Sequence, residues 1–213
     1  NMSIFIDTAD IEQAKAAKES GWIHGITTNP ILLSSTGSSV SDTLRQLVEL
    51  NIGLLFYQIV STGKENMLKE AHLAKEIAGD QLVLKLPPTK QGFQIIPHLP
   101  EEVTCCVTAV YSVAQALVAR ESGVRYIAVY VGRATKLMGD GLSLITEISR
   151  VLQGSQTQLI AASLKAPMEA SSAILAGADH LTLPFDVLSQ LTYHEYSKDA
   201  VNDFNENGSG LQL

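Results

Sequence analysis

The feature of this chain that most restricts its fold is a regular alternation of short apolar runs with longer segments of helical periodicity. Eight apolar runs are predicted to be strands: Ser3–Ile6, Gly25–Thr27, Leu54–Ile59, Leu82–Leu86, Val103–Val107, Tyr126–Val131, Gln158–Ala162 and His180–Leu183. Helices are predicted in the segments that follow these strands: Asp10–Ser20, Ser41–Leu50, Lys64–Ala78, Lys90–Leu99, Ser112–Ser122, Gly141–Leu152, Pro167–Ala176 and Phe185–Leu191. A last helix is predicted from about Tyr196 to Asn205.

This alternation predicts an α/β fold with a closed sheet. Strands that alternate with helices must pair in parallel through right-handed crossovers, and eight such units close best as a (β/α)8 TIM barrel. An open, doubly wound sheet is the alternative, but no GxGxxG turn follows any of the strands. With 213 residues, we expect one barrel domain with an extra C-terminal helix and a mobile tail from about residue 205 to 213.

The composition restricts the partners of the protein. A net charge of −7 argues against a nucleic-acid surface, because phosphate backbones are bound by clustered lysine and arginine. No apolar run approaches the ~18 residues of a membrane span, so we expect a cytoplasmic protein. The neighbouring Cys105 and Cys106 have neither disulfide nor CxxC spacing and are predicted to be core residues on opposite faces of a strand.

The candidate functional residues are the polar side chains at or just beyond the carboxyl ends of the strands. In a barrel these ends meet at one face, where active sites of this fold are built. In chain order the candidates are Asp7, Thr27, Asn29, Gln58, Lys85, Thr108, Tyr130, Arg133, Ser163 and Lys165. Their occurrence on successive strands predicts one shared site.

Lys85 is the most unusual of these residues, because it lies inside the apolar strand Leu82–Leu86. A buried ammonium is costly, and the group therefore tends to lose its proton. A neutral amine can attack a ketone and form an iminium, which draws electrons from a neighbouring carbon–carbon bond. We therefore predict a Schiff-base lysine; the alternative is a core lysine paired with Asp7 for structural reasons.

Four further candidates could move protons or hold water. Asp7 and Tyr130 are the predicted proton carriers, and Gln58 and Thr108 could hold the water used in Schiff-base chemistry. Structural alternatives exist for three of them: Asp7 could cap a helix, Tyr130 could lie at the edge of the core, and Thr108 could bond local backbone groups.

Arg133, Ser163 and Lys165 follow the sixth and seventh strands, near the place where barrels often hold a phosphate. Arginine offers a planar, bidentate donor set, and serine offers a hydroxyl. Two cations on adjacent strand ends of an acidic chain predict a local anion site. The alternative is a surface salt bridge.

The same residues belong to longer motifs that extend over almost the whole chain. The motifs are Phe5-Ile6-Asp7-Thr8-Ala9, Gly25-Ile26-Thr27-Thr28-Asn29-Pro30, Lys85-Leu86-Pro87, Thr108-Ala109-Val110-Tyr111, Ala114-Gln115, Tyr130-Val131-Gly132-Arg133, Ala161-Ala162-Ser163 and Leu183-Pro184-Phe185-Asp186-Val187. From Ile4 to about Asp203 they resemble the transaldolase family in its short form, which includes the fructose-6-phosphate aldolases.

The resemblance implies a role for each matching residue. Lys85 would form the Schiff base and Asp7 would transfer protons, whereas Asn29, with Thr27 beside it, would position the substrate. Gln58, Thr108 and Tyr130 would surround the catalytic water and the substrate hydroxyls, and Arg133 and Ser163 would take the phosphate. The implied ligands are sugar phosphates, with no cofactor and no metal ion, and the implied assembly is a homo-oligomer.

The chain departs from the family pattern at several positions. Ile31 stands where serine usually follows the TTNP motif, and Ala134, Thr135 and Lys136 stand where an acidic residue usually follows the arginine. Transaldolases usually carry glutamate at the position of Gln58 and phenylalanine at that of Tyr130, so these two residues look like those of the aldolases. The family as a whole favours dihydroxyacetone transfer in the pentose phosphate pathway, and the alternative is fructose-6-phosphate cleavage.

Two other classes of protein are weaker alternatives. A metal-dependent aldolase needs several ligands at the strand ends, but the five histidines, His24, His72, His98, His180 and His194, show no ligand spacing. A sugar-phosphate-binding barrel without catalysis would not require a buried lysine at position 85.

Overall fold

A computed structural model describes residues 1–213 as a ring of parallel strands surrounded by helices. The strands are β1 (Ile4–Asp7), β2 (Gly25–Thr27), β3 (Leu54–Gln58), β4 (Leu82–Leu86), β5 (Thr104–Val110), β6 (Tyr126–Tyr130), β7 (Gln158–Ala162) and β8 (His180–Leu183). The helices are α1 (Ile11–Glu19), α2 (Pro30–Ser34), α3 (Val40–Glu49), α4 (Lys64–Ala78), α5 (Lys90–Ile95), α6 (Val113–Glu121), α7 (Val131–Met138), α8 (Gly141–Leu152), α9 (Pro167–Ala176), α10 (Phe185–Gln190) and α11 (Glu195–Asn207). None of the helices is both long enough and apolar enough to cross a membrane.

The sheet is closed, which confirms the (β/α)8 barrel and rules out the open sheet. Neighbouring strands pair in parallel in chain order, and β8 pairs with β1, so that Phe5 lies opposite Thr182. The closed ring places the carboxyl ends of all eight strands at one face of the barrel.

The apolar core has two parts that follow from the alternation of side chains along each strand. Inside the barrel lie Phe5, Phe56, Val83, Cys106, Tyr126, Ala128 and Ile160. A larger cluster fills the space between the barrel and the helices, and it includes Ile6, Leu84, Cys105 and Ile127. Cys105 and Cys106 therefore lie on opposite faces of β5 as free, buried thiols, as predicted.

Several element boundaries differ from those predicted. The fifth strand continues past Val107 to Val110, because a bulge between these two residues lets it keep pairing with β6. Two helices were not predicted: α2 has only five residues, and α7 begins directly after Tyr130 without a loop. At the C-terminus, α11 runs to Asn207, two residues beyond the predicted end, and none of its residues is buried.

Candidate active site

A cavity of about 490 Å³ opens at the carboxyl ends of the strands. Its wall contains eight of the ten predicted site residues: Asp7, Thr27, Asn29, Gln58, Lys85, Tyr130, Arg133 and Ser163. Thr108 lies behind the wall, where its hydroxyl is 2.8 Å from that of Tyr130. The ring of strands thus brings together nine residues that are far apart in sequence.

Lys85 projects from β4 into this cavity and is only 5% exposed. Its Nζ donates a hydrogen bond to the carbonyl oxygen of Thr28 at 2.7 Å. Burial lowers the pKa of Lys85, against the opposing effect of the nearby Cys106 and Asp7. Burial also raises the pKa of the Cys106 thiol to about 12, so Cys106 is neutral, and Asp7 is the carboxyl group whose charge can act on the amine.

Asp7 ends β1 and lies in the cavity wall. Its Oδ1 accepts a hydrogen bond from the Thr27 hydroxyl at 2.8 Å. Burial raises the pKa of Asp7, and the Thr27 hydrogen bond and the Lys85 charge act in the opposite direction. The helix-cap alternative does not apply, because Asp10 caps α1 through the N–H of Gln13.

Tyr130 and Thr108 form a pair at the ends of β6 and β5. Burial raises the pKa of the Tyr130 phenol, and the Thr108 hydrogen bond partly offsets that effect. The ring of Tyr111 packs edge-on against Tyr130, with ring centroids 6.2 Å apart. The phenol therefore keeps its proton and can act as an acid at the cavity wall.

Gln58 and Asn29 complete the polar wall near the amine. Gln58 is the register partner of Lys85 across β3 and β4, so the two side chains lie on the same face of the barrel. Asn29 caps α2 by accepting the N–H of Leu32 at its Oδ1, at 2.9 Å. The amide nitrogen of Asn29 is not used by the cap, so it can donate to a ligand in the cavity.

Arg133 and Ser163 lie side by side at the mouth of the cavity. The N–H of Gly132 donates to the carbonyl oxygen of Ser163 at 2.9 Å. The N–H of Arg133 donates to the Oγ of Ser163 at 3.2 Å. A Cβ atom on Gly132 would lie 2.3 Å from that carbonyl oxygen, so this close approach requires glycine. The Arg133 side chain is exposed and takes no part in the four ion pairs of the structure, so the salt-bridge alternative does not apply to it.

Lys165 is the one candidate that the structure does not bring to the cavity. It is exposed in the loop after β7, and it does not belong to the cavity wall. Its backbone N–H donates to Glu169 at 2.7 Å. A contact between its side chain and substrate therefore stays a prediction.

The backbone is strained at two places in this site. Outside glycine, a positive φ occurs only at Asn51, Ala109 and Ser163, and the last two line the cavity. Such conformations cost about 1–3 kcal/mol each and persist where the surrounding structure holds them in place. At Ala109 the strained residue forms the bulge of β5, directly after Thr108.

Thr182 is a residue of the wall that the strand-end criterion missed. It is 5% exposed, and its hydroxyl oxygen lies 2.5 Å from that of Thr27. Thr182 precedes the last residue of β8, so a search for the polar residue that closes each strand passes over it. The period-two alternation along β8, which turns Thr182 inward with His180, would have indicated it.

Comparisons with known proteins agree with the resemblance of the motifs. A family model described as "Transaldolase/Fructose-6-phosphate aldolase" matches residues 4–211. A "Probable transaldolase" of Hydrogenobaculum sp. is 35% identical over 95% of this chain and 94% of that protein. A "Probable transaldolase" of Aquifex aeolicus is 37% identical over 91% of this chain and 90% of that protein. Among solved structures, a thiamine phosphate pyrophosphorylase from Pyrococcus furiosus has a TM-score of 0.62 at 16% identity, over 89% of this chain and 93% of that one; this is a likeness of fold alone.

Proposed function

The chain belongs to the transaldolase/fructose-6-phosphate aldolase family, and we propose that it forms a Schiff base on Lys85 and transfers a dihydroxyacetone unit between sugar phosphates. A transferase of this kind acts in the pentose phosphate pathway. The donor would be a ketose phosphate such as fructose 6-phosphate. The acceptor would be an aldose phosphate such as erythrose 4-phosphate.

The observation that carries the proposal is the buried amino group of Lys85 in the wall of the cavity. Burial holds its pKa below the ordinary value, which favours the neutral, nucleophilic form. The carbonyl of Thr28 accepts one N–H of the amine. A neutral amine keeps a lone pair that is not engaged by this hydrogen bond and can attack a carbonyl carbon.

The proposed reaction begins when Nζ of Lys85 attacks C2 of the ketose and water leaves, giving an iminium. A base removes the proton of the C4 hydroxyl, the C3–C4 bond breaks, and its electron pair moves to the iminium to give an enamine. The aldehyde that contains C4 then departs. In transfer, C3 of the enamine bonds to the carbonyl carbon of an acceptor aldehyde, whose oxygen takes back the proton held by the base, and the iminium forms again. Water then releases the product ketose from Lys85.

The polar wall supplies the proton transfers that this sequence needs. Asp7 faces Lys85, and in its ionised form it can take the C4 hydroxyl proton. Tyr130 keeps its proton because burial raises its pKa, so it can act as an acid. Gln58 and the Thr108–Tyr130 pair offer donors and acceptors for the water that leaves and returns.

The phosphate would bind at the mouth of the cavity. The guanidinium of Arg133 provides charge and paired N–H donors, and the hydroxyl of Ser163 can donate because its oxygen already accepts the N–H of Arg133. Lys165 is proposed as a further cation for the same phosphate. The protein as a whole is acidic, so such a site has to be built locally.

Fructose-6-phosphate aldolase activity is the second candidate, and the hydrogen-bonded pair of Thr108 and Tyr130 favours it. Release of dihydroxyacetone requires that the enamine be protonated at C3 and that water then hydrolyse the iminium. A phenol at the cavity wall can supply that proton, whereas transfer to an aldehyde needs no proton at C3. The amide of Gln58, in place of a carboxylate, also makes the wall less basic.

The experiment that tests the proposal is the rate of fructose 6-phosphate consumption with and without erythrose 4-phosphate. A transferase consumes the ketose rapidly only when the acceptor is present and releases little free dihydroxyacetone. An aldolase releases dihydroxyacetone and glyceraldehyde 3-phosphate in equal amounts without an acceptor. Absence of both reactions would contradict the proposal.

Full activity in the presence of a metal chelator would separate this mechanism from a metal-dependent aldolase. None of the five histidines lies in the cavity wall. The buried His180 lies at the opposite end of the barrel, where it bonds the N–H of Ser3 and the side chain of Gln158. We also propose that the enzyme is cytoplasmic and homo-oligomeric.

A further inference from the structure

Two buried hydroxyl groups form a chain that ends on Asp7. The hydroxyl oxygens of Thr182 and Thr27 are 2.5 Å apart, and Thr27 donates to Oδ1 of Asp7 at 2.8 Å. The three residues lie on β8, β2 and β1, and β1 pairs with both of the other strands. Both threonines are 5% exposed or less and line the cavity.

The number of protons in this chain determines its direction. A threonine hydroxyl has one proton to donate and two lone pairs to accept. When Asp7 is ionised, the Thr27 proton points to Oδ1, so the short contact between the threonines requires that Thr182 donate to Thr27. Thr182 thus occupies a lone pair of Thr27 and prevents its hydroxyl from turning away.

We propose that Thr182 is a positioning residue, which acts through Thr27 to keep Oδ1 of Asp7 occupied and to leave the other carboxylate oxygen for the substrate hydroxyl. This inference rests on the proposed function, in which Asp7 removes the C4 hydroxyl proton. Thr182 takes no part in the bond-breaking steps. Its effect is on the direction of one hydrogen bond and on the charge state of the carboxylate that receives it.

The reverse direction of the chain explains the link to the charge state of Asp7. If Asp7 held a proton on Oδ1, it would donate to Thr27, Thr27 would donate to Thr182, and the Thr182 proton would need a new acceptor. The only hydrogen-bond partner of the Thr182 hydroxyl in the structure is Thr27. An ionised carboxylate also accepts a hydrogen bond more strongly than a carboxylic acid does, so the pair of hydroxyls favours the ionised form of Asp7 whichever oxygen would take the proton.

The other groups around Asp7 do not depend on Thr182. A positive charge on Lys85, which faces it from β4, opposes the effect of burial, whether that charge is on the ammonium or on the iminium of the substrate complex. Tyr130 faces it from β6 as a neutral phenol. Cys106 on β5 is a neutral thiol, and Gln58 on β3 carries no charge. Arg133 lies at the mouth of the same cavity.

The test is the pH profile of kcat for fructose 6-phosphate cleavage in Thr182→Val, with erythrose 4-phosphate present. The pH dependence of kcat reports groups of the enzyme–substrate complex, in which Lys85 is bound as an iminium and no longer titrates. The fall of kcat at acidic pH, which is the acidic limb of the profile, therefore reports the pKa of the base. We expect the midpoint of that limb to rise by about half to one pH unit, because a hydrogen bond that favours the ionised form is lost. At pH values below the limb, kcat should therefore fall about 3- to 10-fold.

Two control variants separate this effect from loss of packing. Thr182→Ser keeps the hydroxyl and should retain the wild-type profile. Thr157→Val removes another buried hydroxyl, which donates to the carbonyl of Val124 at 2.7 Å, outside the cavity wall. It should lower stability without moving the limb. Should Thr182→Val not fold, Thr182→Cys, which has a similar volume and only a weak S–H donor, should raise the midpoint of the limb in the same direction by a smaller amount.

Each remaining outcome counts against the inference. A Thr182→Val profile that overlays the wild type would overturn it, as would an equal shift in Thr182→Ser or in Thr157→Val. If the wild-type enzyme is active, these outcomes overturn the inference about Thr182 but do not contradict the proposed function. A wild-type chain that neither cleaves nor transfers would instead overturn the proposed function, and the inference with it.

Discussion

The Nζ of Lys85 on β4 donates to the carbonyl oxygen of Thr28, just after β2, at 2.7 Å. That carbonyl is itself well fixed, because the N–H and the hydroxyl of Thr28 both donate to the carbonyl oxygen of Phe56, at 3.2 and 2.6 Å. The amine is thus oriented by an uncharged acceptor. Such a partner can orient the amine without requiring the ammonium form, which burial already disfavours.

Replacement of this lysine should separate activity from stability. Lys85→Met should abolish cleavage and transfer, while the free energy of unfolding at pH 7 should stay the same or rise by up to about 2 kcal/mol, since an apolar side chain replaces a costly buried amine. Urea denaturation measures this, and the exposed Lys198→Met is the matched control, which should change little. A large loss of stability in Lys85→Met would mean that the amine serves the fold.

The lowered pKa of Lys85 should also be visible in the pH dependence of stability. Burial lowers the pKa of Lys85 from its usual 10.5 in the folded protein. At pH values between the pKa of the folded protein and 10.5, Lys85 is therefore protonated in the unfolded chain and neutral in the folded one. Stability contributed by this residue therefore rises with pH across that window. If Lys85→Met has a higher free energy of unfolding than the wild type, this gain should shrink as the pH approaches 10.5. A gain that does not change with pH would show that Lys85 keeps its usual pKa in the folded protein.

Arg133 should matter for substrates that carry a phosphate. Arg133→Ala should raise KM for fructose 6-phosphate about 10- to 100-fold, the value of charged hydrogen bonds to one anion, and change the KM for dihydroxyacetone much less. Steady-state kinetics with both substrates measures this, with the exposed Lys136→Ala as the control. Equal losses for the two substrates would show that Arg133 is structural, and Lys165→Ala tests whether the second cation reaches the phosphate.

Tyr130 should affect release more than transfer. If it protonates the enamine, Tyr130→Phe should lower the release of free dihydroxyacetone about 10²- to 10³-fold and lower transfer to erythrose 4-phosphate less. The ratio of the two products measures this. Tyr111→Phe is the control, because it removes a phenol hydroxyl from the neighbouring residue and keeps the ring that packs against Tyr130. A ratio that stays constant while both rates fall would place Tyr130 before the two paths divide.

The barrel was predictable because the order of its strands and helices follows from local patterns of apolar residues. Strands β2, β4, β7 and β8 have the predicted ends, and so do helices α4, α8 and α9. The short α2 was missed because five residues do not establish a helical period, although the Asn29-Pro30 pair is typical of a helix start. The start of α7 was missed because apolar residues run from β6 straight into it.

The residues of the cavity wall were predictable where one polar side chain lies at the end of each strand. This criterion found Lys85, Asp7 and Tyr130, which the ring of strands brings to one cavity. It could not place Lys165, because the path of a loop after a strand depends on long-range packing. It also could not foresee the positive φ at Ala109 and Ser163, since only the folded surroundings hold such conformations in place.

Covalent trapping tests the central claim most directly. The chain is incubated with fructose 6-phosphate and sodium borohydride, and its peptides are analysed by mass spectrometry, with Lys85→Met and a substrate-free sample as controls. An iminium mechanism predicts a reduced ketose fragment attached to Lys85 and to no other lysine of the wild-type chain. Labelling of a different lysine, or no covalent adduct under conditions in which fructose 6-phosphate is consumed, would contradict the account.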